Sequence, residues 1–507
     1  MRLLRSAVRE SAFGNSCASA DARLLSTALN AQSCPIEQEE HPMSCTDPTA
    51  LLTSFRQALP PVARMGEDLV GKGAMVDGPF GPKPLVYADY VASGRALKTL
   101  EMFLLESVLP YYANSHTEAS FCGGFMTRLR AAARATIADH CGAGPEHAVI
   151  FAGSGATAGI NRLVHLLGAD HGKVKVILGP YEHHSNILPW RESGAEVVEL
   201  PEAGDGGPEL AALDAALADK ADYDRVICAF SAASNVSGII ADVAGLTRRV
   251  KDAGALMVWD YAGGGPYLPM AMDQQGAGID ALVFSPHKFI GGPGASGVMV
   301  LRRDAVVAEH PTWVGGGTVR FVSSDGHDYS GALEAREEAG TPNVVGDIRA
   351  ALAVIVKEEI GAGHMAQRNA ELAARAIAAW QAEPGIELLG NTGAARLPVP
   401  SFRLRDPRGG YIHQQLATKM LSDRFGKETP GAMRWVFAAI PIIALQLIGS
   451  AYFQAIGKAL PALLQMKATA VSTDSKPLKN CATKQSLCGM KTISLVQMNT
   501  HLSKGPV

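Results

Sequence analysis

ALVFSPHKFIGGPGASGVMVLRR, residues 281–303, decides how this chain folds. Two apolar runs, ALVF and GVMVL, have the length and aliphatic content of buried strands. Between them lies a glycine-rich connection that carries one lysine, Lys288, between His287 and Phe289. A charged amine at the mouth of two buried strands is costly unless it has a partner or a reaction. Desolvation there lowers the amine's pKa and makes it a better nucleophile toward a carbonyl.

Working outward, further apolar runs share this character: HAVIFAG (147–153), KVKVILG (173–179), AEVVEL (195–200), DRVICAF (224–230) and ALMVWDYAG (255–263). Segments of helical composition separate several of them, such as PELAALDAALADK (208–220) and VAGLTRRVKDAG (243–254). Near-continuously apolar strands alternating with helices predict an α/β fold with a mainly parallel sheet covered on both faces. Ligands of such sheets bind where loops leave the carboxyl ends of strands.

Those strand ends carry the polar residues. FAGSGATAG (151–159) turns from a strand into a helix, with Gly153, Gly155, Ala156 and Thr157 at the turn. It suits either an anion at the helix N-terminus or simply a tight turn that needs glycine. YEHHSNILPW (181–190) places His183 after a strand, to stack on a flat ring, to move protons, or to hydrogen-bond locally. Asn235, in SAASNVSG (231–238), either bonds a ring oxygen or shapes a turn. Asp260 follows four apolar residues and needs a cationic partner unless it caps the next turn. With no His, Asp or Glu cluster at ligand spacing, no metal site is expected. A phosphate cradle, a stacking ring, an acid for a pyridine nitrogen and an amine for an aldehyde together fit pyridoxal 5′-phosphate.

The chain resembles the class V aminotransferase superfamily of pyridoxal phosphate enzymes, within it the cysteine desulfurase-like branch. The resemblance rests on YADYVASG (87–94), NSHTEAS (114–120), GSGATAGIN (153–161), EHHSNILPW (182–190), SNVSG (234–238), SPHKFIGGPGASGVMV (285–300), GGGTV (315–319) and REEAGTPN (336–343). It implies a fold-type I homodimer acting on a small amino acid. By motif position Lys288 would join the cofactor aldehyde, His183 stack on its ring, Asp260 pair with its nitrogen and Asn235 lie near its hydroxyl. Ala156, Thr157, Ser285 and His287 would hold the phosphate, and Thr341 would reach across from the partner subunit. Many relatives have Gln three residues after the Asp, where this chain has Gly263.

In a desulfurase a small-domain cysteine takes the substrate sulfur, in a loop shortly after SDRFG (422–426). Here SDRFGKETPGAMRWVF follows instead, and no cysteine lies between Cys228 and Cys481. TPGAMRWVF resembles the segment whose arginine binds the substrate carboxylate, which makes Arg434 the candidate. Either sulfur is not abstracted, or a segment that relatives have is missing. The alternatives are an aminotransferase or lyase without sulfur chemistry, and a non-catalytic homologue serving as a scaffold.

Four regions are expected. Residues 1–42, of which the first 33 are basic and poor in acids, read as a mitochondrial transit peptide, or as an extension before Met43 of a cytoplasmic protein. Residues 43–345 form the large domain, 346–465 a smaller α+β C-terminal domain, and 466–507 a disordered or aberrant tail. The uncharged stretch 436–457 contains Pro441 and two glutamines, so a buried helical pair is expected rather than a membrane span. A net charge of −3 argues against a nucleic-acid or anionic-membrane surface. Eight cysteines without a CxxC pair indicate neither a disulfide framework nor a zinc site.

Overall fold

The computed structural model describes residues 47–115, 118–428 and 437–438. The leader at 1–42, nearly all of 436–457 and the tail at 466–507 lie outside the described residues. Among those described, no helix is long and apolar enough to cross a membrane.

Seven strands build the central sheet: β1 (His147–Gly153), β2 (Val174–Leu178), β3 (Glu196–Glu199), β4 (Arg225–Ser231), β5 (Leu256–Asp260), β6 (Ala281–Phe284) and β7 (Gly297–Arg302). Their order is β1-β7-β6-β5-β4-β2-β3. The pairs β6·β5, β5·β4, β4·β2 and β2·β3 are parallel, whereas β7 runs antiparallel to both β6 and β1. Each strand therefore meets the mainly parallel expectation except β7, to which the chain returns from β6 through the lysine loop at 285–296 without a crossover helix.

Side chains alternate between two cores. Phe151, Cys228, Phe230, Trp259, Phe284 and Val298 point into one. Ile150, Ile227, Ala229, Val258, Val283 and Met299 point into the other. Both faces are apolar, so the strands read as continuous runs; each fully buried large aliphatic or aromatic side chain contributes about 1.5–3 kcal/mol.

The first core is closed by α1 (Pro48–Ala58) and α2 (Phe121–His140), and the second by α3 (Gly155–Leu166). Gly159 lets α3 lie against the sheet, since a Cβ there would meet Val283 Cγ1 at 2.8 Å. Helices α4 (Leu210–Ala218) and α5 (Val243–Asp252) cover the first face as well, and Asp242 Oδ1 caps α5 by accepting from Gly245 N at 2.9 Å.

The helical stretch after residue 345 is two helices, α6 (Val344–Ile360) and α7 (Ala362–Gln381), divided at Gly361 with φ +84°. Val344, Ile348, Leu352 and Val356 of α6 lie in the first core. The change of pattern at 345 thus marks the start of a long buried helix and not the edge of the main core. The smaller unit comprises α7, the antiparallel pair β8 (Ile386–Leu388) and β9 (Ser401–Leu404), and α8 (Gln414–Phe425). Beyond α8, Lys427–Glu428 pairs in parallel with Val86–Tyr87 and so returns the chain to the large unit.

Candidate active site

The carboxyl ends of β4, β5 and β6 and the turn after β1 open into one cavity of about 850 Å³. Eight of the residues singled out in the sequence line it: Lys288, His183, Asp260, Asn235, Ala156, Thr157, Ser285 and His287. Thr341 is exposed and does not line it, and Arg434 lies outside the described residues.

One group of donors gathers at the turn from β1 into α3. Gly153 and Gly155 take φ of +87° and +64°, which other residues adopt only under strain. The Ala156 amide donates to Ser285 Oγ at 2.8 Å, and Thr157 Oγ1 donates to Ser185 Oγ at 2.8 Å. A Cβ on Gly155 would approach Ser285 Oγ to 3.1 Å, so the glycine keeps the cradle open. Gly297 serves it from the other side, because a Cβ there would stand 2.3 Å from Gly155 O. Backbone amides at the start of a helix, with hydroxyls and an imidazole beside them, match a phosphate.

Asp260, at the end of β5, is 3% exposed, and its Oδ1 accepts from Ala262 N at 2.7 Å. Burial raises its pKa; that hydrogen bond and the Lys288 amine oppose the rise. Burial lowers the Lys288 pKa, while Asp260 and then Asp89 pull it back up. Burial draws acid and amine toward neutrality, and each opposes that shift in the other. His183 and His287 are likewise lowered, by burial and then by Lys288. His183 Nδ1 accepts from Ser185 N at 3.2 Å, which fixes the ring.

Three participants escaped the sequence reading. Asp89 lies within YADYVASG, yet nothing local in that motif says it will face Lys288. Ser231 lines the cavity and bonds to Glu182 through both N and Oγ, at 2.8 and 2.7 Å. Glu182 also accepts from Asn186 Nδ2 at 2.5 Å, and burial pushes its carboxyl up to about 7. The signal was a glutamate directly after a buried strand, overshadowed by the histidines that follow it.

Gly94 fastens YADYVASG to the lysine loop: its amide donates to His287 O at 2.8 Å, and Ser93 Oγ donates to the same carbonyl at 3.1 Å. The site thus joins an amine whose pKa burial lowers, a buried acid, an anion cradle, and an imidazole and an amide on the cavity wall. That donor set fits pyridoxal 5′-phosphate, with the glycine-lined cradle and the buried, cation-seeking Asp260 as the two features a simple turn would not require.

The family model of aminotransferase class V matches residues 86–433. A probable cysteine desulfurase of Streptomyces coelicolor is 27% identical over 355 residues, 68% of this chain and 82% of that protein. A cysteine desulfurase of an Enterobacter species is 30% identical over 329 residues, 63% of this chain and 78% of its own length. Among solved structures, the apo cysteine desulfurase of Thermococcus onnurineus shares the fold with a TM-score of 0.64 at 24% identity, covering 75% of this chain and 95% of that one. An Escherichia coli cysteine desulfurase gives a TM-score of 0.63 at 22% identity, covering 82% and 98%.

Proposed function

The chain belongs to the class V aminotransferase family of pyridoxal phosphate enzymes, in its cysteine desulfurase-like branch, and from that premise we propose that it acts on a small amino acid in the cavity around Lys288. The observation that carries the proposal is Lys288 itself: an amine lowered by burial, beside a buried aspartate, next to an anion cradle.

Ala156, Thr157, Ser285 and His287 would hold the cofactor phosphate, Asp260 its ring nitrogen, Asn235 its hydroxyl and His183 its face. When bound, the cofactor supplies an electron sink for negative charge at the substrate α-carbon. Burial lowers the Lys288 pKa and so favours the amine form that would attack a carbonyl and afterwards move the α-proton. Asp260 is buried, where its carboxylate would stabilise a positive charge on the ring nitrogen more strongly than in water. Asp89 gives Lys288 a second carboxylate when its amine is protonated.

Transfer of sulfur to the protein needs a thiol within reach. Among the described residues, Cys141 and Cys228 are buried, with burial raising both thiols, and no cysteine lines the cavity. This favours a second reading, in which the same site runs transamination or elimination without sulfur abstraction.

The proposal extends to a homodimer. Trp313, Val314, Phe321 and Val322 are exposed close in sequence to Thr341, and they offer an apolar surface for a second copy. A mitochondrial address for residues 1–42 is likewise proposed, and imaging of a fluorescent fusion with and without those residues tests it.

Absorbance of the purified chain, before and after L-cysteine, tests the main reading. An absorbance band that Lys288→Ala abolishes is expected. A wild type without it, or a variant that keeps it, refutes the cofactor assignment and leaves a scaffold role. Alanine with sulfide marks desulfuration, and an oxo acid marks transamination.

A further inference from the structure

Where α3 ends, the chain folds back through Gly168 (φ +71°) and Gly172 (φ +75°). That turn sets Asp170 and His171 beside His165 in the last turn of the helix. Asp170 Oδ2 lies 2.9 Å from His165 Nδ1, and its Oδ1 lies 2.6 Å from His171 Nδ1. One ligand atom from each of the three lies within 4.8 Å of the other two.

The far side of His165 gives this cluster its meaning. Its Nε2 lies 3.2 Å from the carbonyl oxygen of His310, which can only accept. Nε2 therefore carries the proton, and in the neutral ring Nδ1 keeps a lone pair aimed at a carboxylate oxygen. Two electron-rich atoms at that distance need a positive charge between them. A far nitrogen donating to a carbonyl is also how histidine ligands of metals are oriented. The carbonyl end of a helix adds partial negative charge, which favours a cation again.

We propose that His165, Asp170 and His171 form a surface site for a divalent transition metal of the zinc class, separate from the cavity around Lys288. Two imidazole nitrogens and one carboxylate suit zinc, cobalt or nickel; magnesium and calcium prefer oxygen alone. Tetrahedral ligands about 2.0–2.1 Å from zinc stand about 3.3 Å apart, so both N···O separations need open by less than about 1 Å. Asp170 and His171 are exposed, which leaves the remaining coordination positions to water. Spacing alone did not point to a metal site here; it is the turn that closes this short H-x4-D-H segment on itself.

The competing arrangement is two ring N–H groups donating to one aspartate, with no metal affinity. Cobalt(II) titration of the tag-free, chelator-stripped full chain separates the two. Expected is one cobalt per chain with ligand-field bands but no sulfur-to-cobalt charge transfer, displaced by zinc. His165→Gln and Asp170→Asn should each weaken it at least about tenfold, with circular dichroism confirming that both variants are folded. No cobalt uptake, or uptake unchanged in the folded double variant, overturns the proposal.

Discussion

Replacing Gly94 by alanine attacks the lysine loop through its backbone. A Cβ at that position would stand 1.9 Å from Phe289 O, 2.6 Å from Phe289 C and 3.1 Å from Lys288 O. Ordinary carbon–oxygen contacts are about 3.3 Å or more, so the two segments must separate by roughly 1.4 Å. No flexible side chain lies there to absorb the shift, and moving apart breaks the Gly94 and Ser93 bonds to His287 O. Overpacking of this kind costs about 1–3 kcal/mol. A displacement of about 1 Å at the reacting group costs on the order of 100-fold in rate. Gly94→Ala is therefore expected to melt a few degrees lower and to lose about two decades in the reaction of Lys288 with the aldehyde of pyridoxal 5′-phosphate. Differential scanning fluorimetry and stopped-flow absorbance read the two effects. Gly363→Ala is the control: nothing lies within 4 Å of a Cβ in that first turn of α7, so it should be neutral or stabilise by up to ~1 kcal/mol. A Gly94→Ala protein that matches the wild type in both assays refutes the claimed contact.

Further outcomes are expected elsewhere. Glu182 has its folded pKa raised to about 7, above an unfolded value near 4.5, so its contribution is fully present below pH 4.5 and is lost as pH rises through 7. Glu182→Gln should flatten a loss on the order of 3 kcal/mol between pH 5 and pH 9 in urea titrations; equal slopes in both proteins would count against it. Glu338 pairs with Arg130 at 2.5 Å and Arg134 at 2.8 Å and accepts from Phe151 N at 2.8 Å, in a site that also holds Asp347. Glu338→Gln leaves the half-buried Arg134 without its carboxylate and Arg130 with Asp347 alone, and should cost about 3–5 kcal/mol by denaturant midpoint, whereas a change under 1 kcal/mol would contradict the network. Gly155→Val combines strain at φ +64° with a clash at Ser285 Oγ, and should weaken pyridoxal phosphate binding at least about tenfold in equilibrium dialysis. Undiminished affinity there would show that the cradle is not the phosphate site.

Apart from the edge strand β3, whose Glu196 and Glu199 are exposed, the strands were legible because both faces are buried, which leaves a run of apolar residues that no half-exposed element would carry. Direction was not: Val298 and Met299 alternate between the two cores equally well in either sense, and only the return from Phe284 through the lysine loop makes β7 antiparallel. The site residues at strand ends were legible through the cost of burying Asp260 and Lys288. Asp89 and Glu182 were hidden for a different reason. Their environments are made by segments far away in the chain, Lys288 for one and Ser231 for the other. Helix composition does not say which core a helix enters, and α6, just past residue 345, packs into the first one.

The position of β1 bears on how the protein is made. β1 sits at the edge of the sheet and touches it only through β7. A nascent chain that has emerged as far as Lys288 already carries the amine, the acid and the imidazole. Yet its anion cradle, which follows β1 directly, has no strand to dock on until residues 297–302 leave the ribosome. Long-range closures of this kind are slow steps in folding. Completion of the pocket thus waits on the pairing of highest contact order in the sheet, and cofactor capture reports that β1 has docked.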